Sequence, residues 1–131
     1  MAKHLCSWLG LLLVGAAVGC GKPSYDRYVP AEPTARQALE TALDHWKGGG
    51  KPGKLTGPSA TVEVLDSRWG AGQKLAGYEI VNEESGEGGR WFTVRLTLQK
   101  PSGVQSARYV VVGKDPLWVY REEDFKKVTG M

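Results

Sequence analysis

Apolar and polar positions divide the chain into stretches of different rhythm. From Leu5 to Val18 nearly every position is apolar. From Gly21 to Pro33 no period is visible. In TARQALETALDHWK (34–47), Ala35, Ala38, Leu39, Ala42, Leu43 and Trp46 recur at the spacing of one helix face. Arg36, Gln37, Glu40, Thr41, Asp44 and Lys47 fall opposite, which predicts an amphipathic helix. Thr34 and Gln37 stand at capping-box spacing, Pro33 suits a helix start, and Gly48 follows where a left-handed cap is expected.

From residue 60 the period becomes two. ATVEVLD (60–66) and GYEIVNEE (77–84) read as strands, with the glycine-rich SGEGG as a turn. RWFTVRLTLQK (90–100) alternates most cleanly: Phe92, Val94, Leu96 and Leu98 share one face, while Thr93, Arg95, Thr97 and Gln99 share the other. Pro101-Ser102-Gly103 turns the chain into SARYVVV, and Gly113-Lys114-Asp115-Pro116 turns it into LWVYRE. The expected fold is α+β: one N-terminal amphipathic helix packed on a curved antiparallel sheet of four to five strands, because an apolar stripe and an apolar sheet face must bury each other.

The first apolar run is too short for the roughly 20 residues of a membrane-crossing helix. With Lys3 before it and Ala16, Ala17, Gly19 and Cys20 closing it, it reads as an export signal whose cysteine takes a lipid. The expected organisation is a signal peptide over 1–19, a lipid-anchored tether over 20–32 and one α+β domain over 33–131. The expected location is the periplasmic face of the cell membrane or outer membrane. Cleavage after Ala17, leaving Cys20 as a free thiol, is the alternative. Fully stretched, the 13-residue tether would span roughly 40 Å. Cys6 lies within the signal and Cys20 at its end, so the expected domain has no disulfide and no cysteine metal site.

Net charge changes the picture little. At +3, with 17 basic and 14 acidic residues interspersed, the chain lacks the dense basic stripe of a nucleic-acid binder, and no nucleic-acid partner is expected. The segment GGGKPGKLTG (48–57) is one residue short of a phosphate-loop spacing. Such a loop follows a strand and opens a helix, whereas these glycines follow a helix, and Leu55 occupies the position of the metal-binding hydroxyl. A helix cap and connector are expected, and no nucleotide.

Candidate chemistry is sparse. His45, the one histidine after the signal, falls at the margin of the helix stripe. With Asp66 and Ser67 it supplies the residue types of a nucleophilic triad, but no nucleophile-elbow motif surrounds Ser67. Glu83, Glu84 and Glu87 lack calcium-loop spacing and read as a solvated hairpin tip. No catalytic residue, cofactor or metal is assigned.

The order of elements over 33–122 is similar to the cystatin-like architecture and to the cone-shaped fold of nuclear transport factor two. The segments ALETALDHWKGG, DSRWGAGQKLAGYEI and VVVGKDPLWVYRE resemble small lipoproteins of planctomycete-type bacteria, a likeness that implies envelope localisation and this fold but no catalytic residue.

Alternation also defines a second sheet face. If Phe92 and Leu96 meet the helix, Trp91 and Arg95 point away, and Arg108, Val110, Val112, Trp118 and Tyr120 join them. An apolar patch rimmed by arginine suits a contact surface for a protein partner or a second copy. The C-terminal EEDFKKVTGM or the tether is the alternative cover for it. The resulting expectation is a lipid-anchored, non-catalytic binding or assembly module. A small ligand binder or enzyme with a pocket between helix and sheet, using Glu63, Asp66 or Tyr78, is the alternative.

Overall fold

The computed structural model describes residues 29–86 and 88–130. Signal peptide, Cys20 and the tether up to Tyr28 lie outside them, as does Glu87 of the acidic turn.

Helix α1, Glu32–Lys47, buries the stripe that its spacing predicts: Ala35, Ala38, Leu39, Ala42, Leu43 and Trp46. It starts before the capping-box residues, with Ala31 as N-cap and no side-chain cap. Pro33, lacking an N–H, fits a first-turn position where that donor has no partner in any case, and Arg90 Nε fastens the preceding Pro30 carbonyl at 2.9 Å. At the other end Gly48 keeps an ordinary right-handed φ of −79°. The positive φ falls one residue later, at Gly49.

Six strands follow: β1 Lys54–Thr56, β2 Thr61–Leu65, β3 Lys74–Gly86, β4 Gly89–Lys100, β5 Ser102–Gly113 and β6 Leu117–Arg121. Two further helices are α2, Ser67–Gly70, and α3, Glu122–Thr129. The sheet order is β1-β2-β6-β5-β4-β3. Strands β3 to β6 form the expected antiparallel meander, but β6 then pairs with β2 in parallel. The sheet is therefore mixed and six-stranded rather than antiparallel with four or five strands. The parallel neighbour is possible because α2, β3, β4 and β5 intervene in the chain, giving β2 and β6 the long crossover that a parallel pair needs. Strand β1, inside the segment read as a loop, is a three-residue edge strand paired with β2, too short for a period to show.

Alternation holds where it was clearest. Phe92, Val94 and Leu96 are fully buried, and Leu98 nearly so, against α1. Tyr109, Val111, Leu117 and Val119 fill the same side. On the opposite face a smaller cluster forms from Trp91, Val110 and the α3 residue Phe125, with Val112 and Tyr120 packed against it. The sheet thus carries α1 on one face and α3 on part of the other. Among the described residues no helix is long and apolar enough to cross a membrane.

Candidate functional site

The residues expected to form a contact surface do share the outer face, but α3 divides them. Trp118 and Tyr120 are two apart on β6 and project to the same side. Their rings stack at 5.6 Å with a 12° interplanar angle. Tyr120 continues into Phe125 at 5.4 Å, and Phe125 meets Trp91 edge-on at 5.5 Å. A row of four aromatic rings results, covered by α3 at one end and open at the other. Trp91 is only 7% exposed, whereas Trp118 is 37% exposed. The C-terminal segment named as an alternative cover therefore buries Trp91 and leaves Trp118 at the surface.

The two arginines are also placed differently. Arg108 lies over Trp91, 4.7 Å from the ring centre, and its guanidinium donates to Glu122 at 3.0 Å and to Glu84 at 3.3 Å. It clamps the start of α3 to β3 across the indole. Arg95 pairs with Glu79 at 2.7 Å on exposed sheet surface, one residue pair further along β4 and β5. Tyr120 is half-buried, and that burial pushes its hydroxyl above the ordinary tyrosine range. It remains neutral at physiological pH.

The triad residues do not converge. Asp66 is the N-cap of α2: its Oδ1 accepts from the Arg68 and Trp69 amides at 3.0 and 3.1 Å. Its Oδ2 accepts from the Tyr109 hydroxyl at 2.6 Å, and buried Arg121 stands 3.4 Å away. Ser67 turns instead to Asp124 on α3, which accepts from its amide at 2.9 Å and from its hydroxyl at 3.3 Å. His45 sits on the far flank, tilted against Trp69 at 6.2 Å with its ring over the Cα of Gly50. The Asp66–Tyr109–Arg121 group is buried and internally satisfied through most of its bonds, which suits a structural fastening. Burial, and then the Asp66 charge, drive the Tyr109 hydroxyl well above its ordinary range while Arg121 opposes them. The phenol cannot serve as a base at neutral pH.

The pocket candidates are likewise scattered. Tyr78 donates to Asp44 on α1 at 2.8 Å, and burial followed by that hydrogen bond raises its hydroxyl. Glu63 pairs in register with Lys54 and Trp118. The helix–sheet interior is filled by the apolar core. Two open clefts lie at its edge. One of about 660 Å³ runs between α1 and β1, lined by Thr41, Asp44, His45, Lys51 and Lys54 among others. The second, about 410 Å³, lies beyond the end of α1 over the stacked Trp46 and Trp69 rings. Among the described residues no three His, Cys, Asp or Glu side chains gather as metal ligands.

The glycine segment makes no phosphate cradle. The amides of Gly48, Gly49 and Gly50 donate to the carbonyls of Asp44, Trp46 and His45, and that of Gly57 to Ala60. Sequence reasoning missed α2 and its buried tie to Tyr109. The signal was present in Asp66-Ser67-Arg68-Trp69, a capping residue followed by one turn.

No family model matches the chain, and comparison with curated proteins and with solved structures gives no match.

Proposed function

We propose that this chain is a lipid-anchored binding or assembly module of the cell envelope, exported and held through Cys20. Its contact surface is the open end of the outer aromatic row, centred on Trp118 and Tyr120, and a protein partner or a second copy covers it. Trp91 and Arg108 support that surface from beneath α3, and Arg95 forms its charged margin.

The observation that carries this reading is the stacked Trp118–Tyr120 pair standing on a strand in the middle of a six-stranded sheet, with Trp118 left exposed beside an otherwise covered row. An exposed tryptophan held by a rigid strand and a ring stack buries much area on contact at little entropic cost, and truncating such an anchor costs about 2 kcal/mol or more of binding. Sedimentation of the full chain in mild detergent, with photo-crosslinking from position 118 in intact envelopes, tests it. Crosslinks that converge on one protein or on a second copy support the proposal. A monomer that crosslinks only to lipid or to nothing refutes it.

A further inference from the structure

Charges in this domain are sorted by type. Five arginines on the described residues sit in ion pairs: Arg36, Arg68, Arg95, Arg108 and Arg121. Lys47, Lys51, Lys54, Lys74 and Lys100 are all exposed and make no ion pair among the described residues. These five lysines lie at one end of the fold. Lys47, Lys51 and Lys74 line the 410 Å³ cleft together with Gln99, next to Lys100. Lys51 also lines the adjoining 660 Å³ cleft with Lys54. The acidic residues nearby are Asp44, which accepts from Tyr78, and Glu63, the register partner of Lys54.

Helix electrostatics explain only part of this. A cation in the last turn of α1 is favoured by the negative end of the helix dipole, which accounts for Lys47. Lys54, Lys74 and Lys100 stand on strands. Lys74 and Lys100 are direct partners across β3 and β4, and like charges placed directly opposite on a sheet destabilise it. Nothing in the fold offsets that repulsion, so an external anion is the natural counterpart.

The shape and donor chemistry narrow the partner. The two clefts share Lys51 and form a continuous lysine-lined groove rather than a flat patch, which fits an extended chain better than a membrane plane. The indoles beneath it, Trp46 and Trp69, are buried and spend their N–H groups on the Gln73 and Gly50 carbonyls. No aromatic face is therefore offered for base stacking as in single-strand nucleic-acid grooves. The glycine amides that could cradle a single phosphate are already bonded within the chain. The groove presents ammonium point charges and no arginine fork; forks suit planar carboxylates, while lysines suit phosphates as point charges. We infer that the groove formed by Lys47, Lys51, Lys54, Lys74 and Lys100 binds a linear, phosphate-bearing polymer. This site is separate from the Trp118 face and does not depend on it.

The test is a titration of the full chain, in mild detergent, with inorganic polyphosphate as the probe at several salt concentrations. Engagement of about four lysines gives a log–log salt slope near −3, so affinity should fall about 50-fold between 50 and 200 mM salt. The triple variant Lys47→Gln, Lys51→Gln, Lys74→Gln should bind at least tenfold more weakly with a shallower slope. The double variant Lys126→Gln, Lys127→Gln should bind like the natural chain. Circular dichroism checks that each variant is folded, and the single variant Lys51→Gln, at the junction of the clefts, should weaken binding severalfold should the triple variant unfold. The inference is overturned by absent binding at 50 mM salt, by undiminished binding of the lysine variants, or by equal or tighter binding of polyglutamate, single-stranded DNA or anionic phospholipid vesicles.

Discussion

Tyr109 donates its hydroxyl hydrogen to Asp66 at 2.6 Å, joining the fifth strand to the cap of a one-turn helix. The parallel register sets up this contact. Leu65 is opposite Tyr120 on β6, and Arg121 is opposite Tyr109 on β5, so Asp66, Arg121 and Tyr109 become neighbours on three successive chain segments. Removing Asp66 leaves Arg121 buried with only the exposed Glu123 at 3.4 Å. Asp66→Ala should therefore cost about 3 kcal/mol or more, the usual penalty for orphaning a buried charge. Tyr109→Phe should cost about 2 kcal/mol, the range for a hydrogen bond to a charged group. Urea unfolding followed by circular dichroism checks both.

The same phenol makes stability depend on alkaline pH. Burial and the neighbouring Asp66 hold the Tyr109 hydroxyl well above its ordinary value of 10. The unfolded chain releases that proton near pH 10 and the folded chain keeps it, so the folded state binds more protons in this window and stability falls as pH rises through it. Tyrosinate absorbance from Tyr109 should appear only with unfolding, and Tyr109→Phe should shallow the loss of stability above about pH 10.

Phe125 fastens α3 to the outer face through Trp91 and Tyr120. Phe125→Ala should cost about 3 kcal/mol, as for other buried aromatic truncations. Because α1 packs on the other face, the strand circular dichroism should persist while Trp91 emission shifts to the red. A variant as stable as the natural chain with unshifted emission would mean that α3 is not held by this contact.

Lipid attachment rests on the apolar run ending at Gly19-Cys20. Mass spectrometry of membrane-extracted protein should show a diacylglyceryl group on an N-terminal Cys20, and Cys20→Ser should move the protein to the soluble fraction, since no thioether can form. A mature chain beginning at Val18 with a free thiol would contradict the anchor.

What could be read from the sequence was what repeats. The α1 stripe and the β4 alternation needed only a period, and both buried faces follow from it. That Trp91, Arg95, Arg108, Trp118 and Tyr120 share one face was legible for the same reason. Non-local pairing was not: no period shows that β2 lies beside β6, or that Lys74 faces Lys100. Nor does a period say that Phe125 in a mostly charged segment would fold back over Trp91 and not Trp118. One-turn and three-residue elements such as α2 and β1 are shorter than any window that reveals a rhythm, and capping chemistry at Asp66 was the only local sign of the first.

The contact surface is tested most directly by Trp118→Ala in the full chain. The ring stands on the outer face, stacked on Tyr120 and outside the α1-facing core, so the account predicts an unchanged circular dichroism spectrum and nearly unchanged unfolding. It also predicts at least a tenfold weaker association, read by sedimentation for a second copy or by recovery of the crosslinked partner from envelopes. A Trp118→Ala chain that is folded and associates as strongly as the natural one would contradict the central claim.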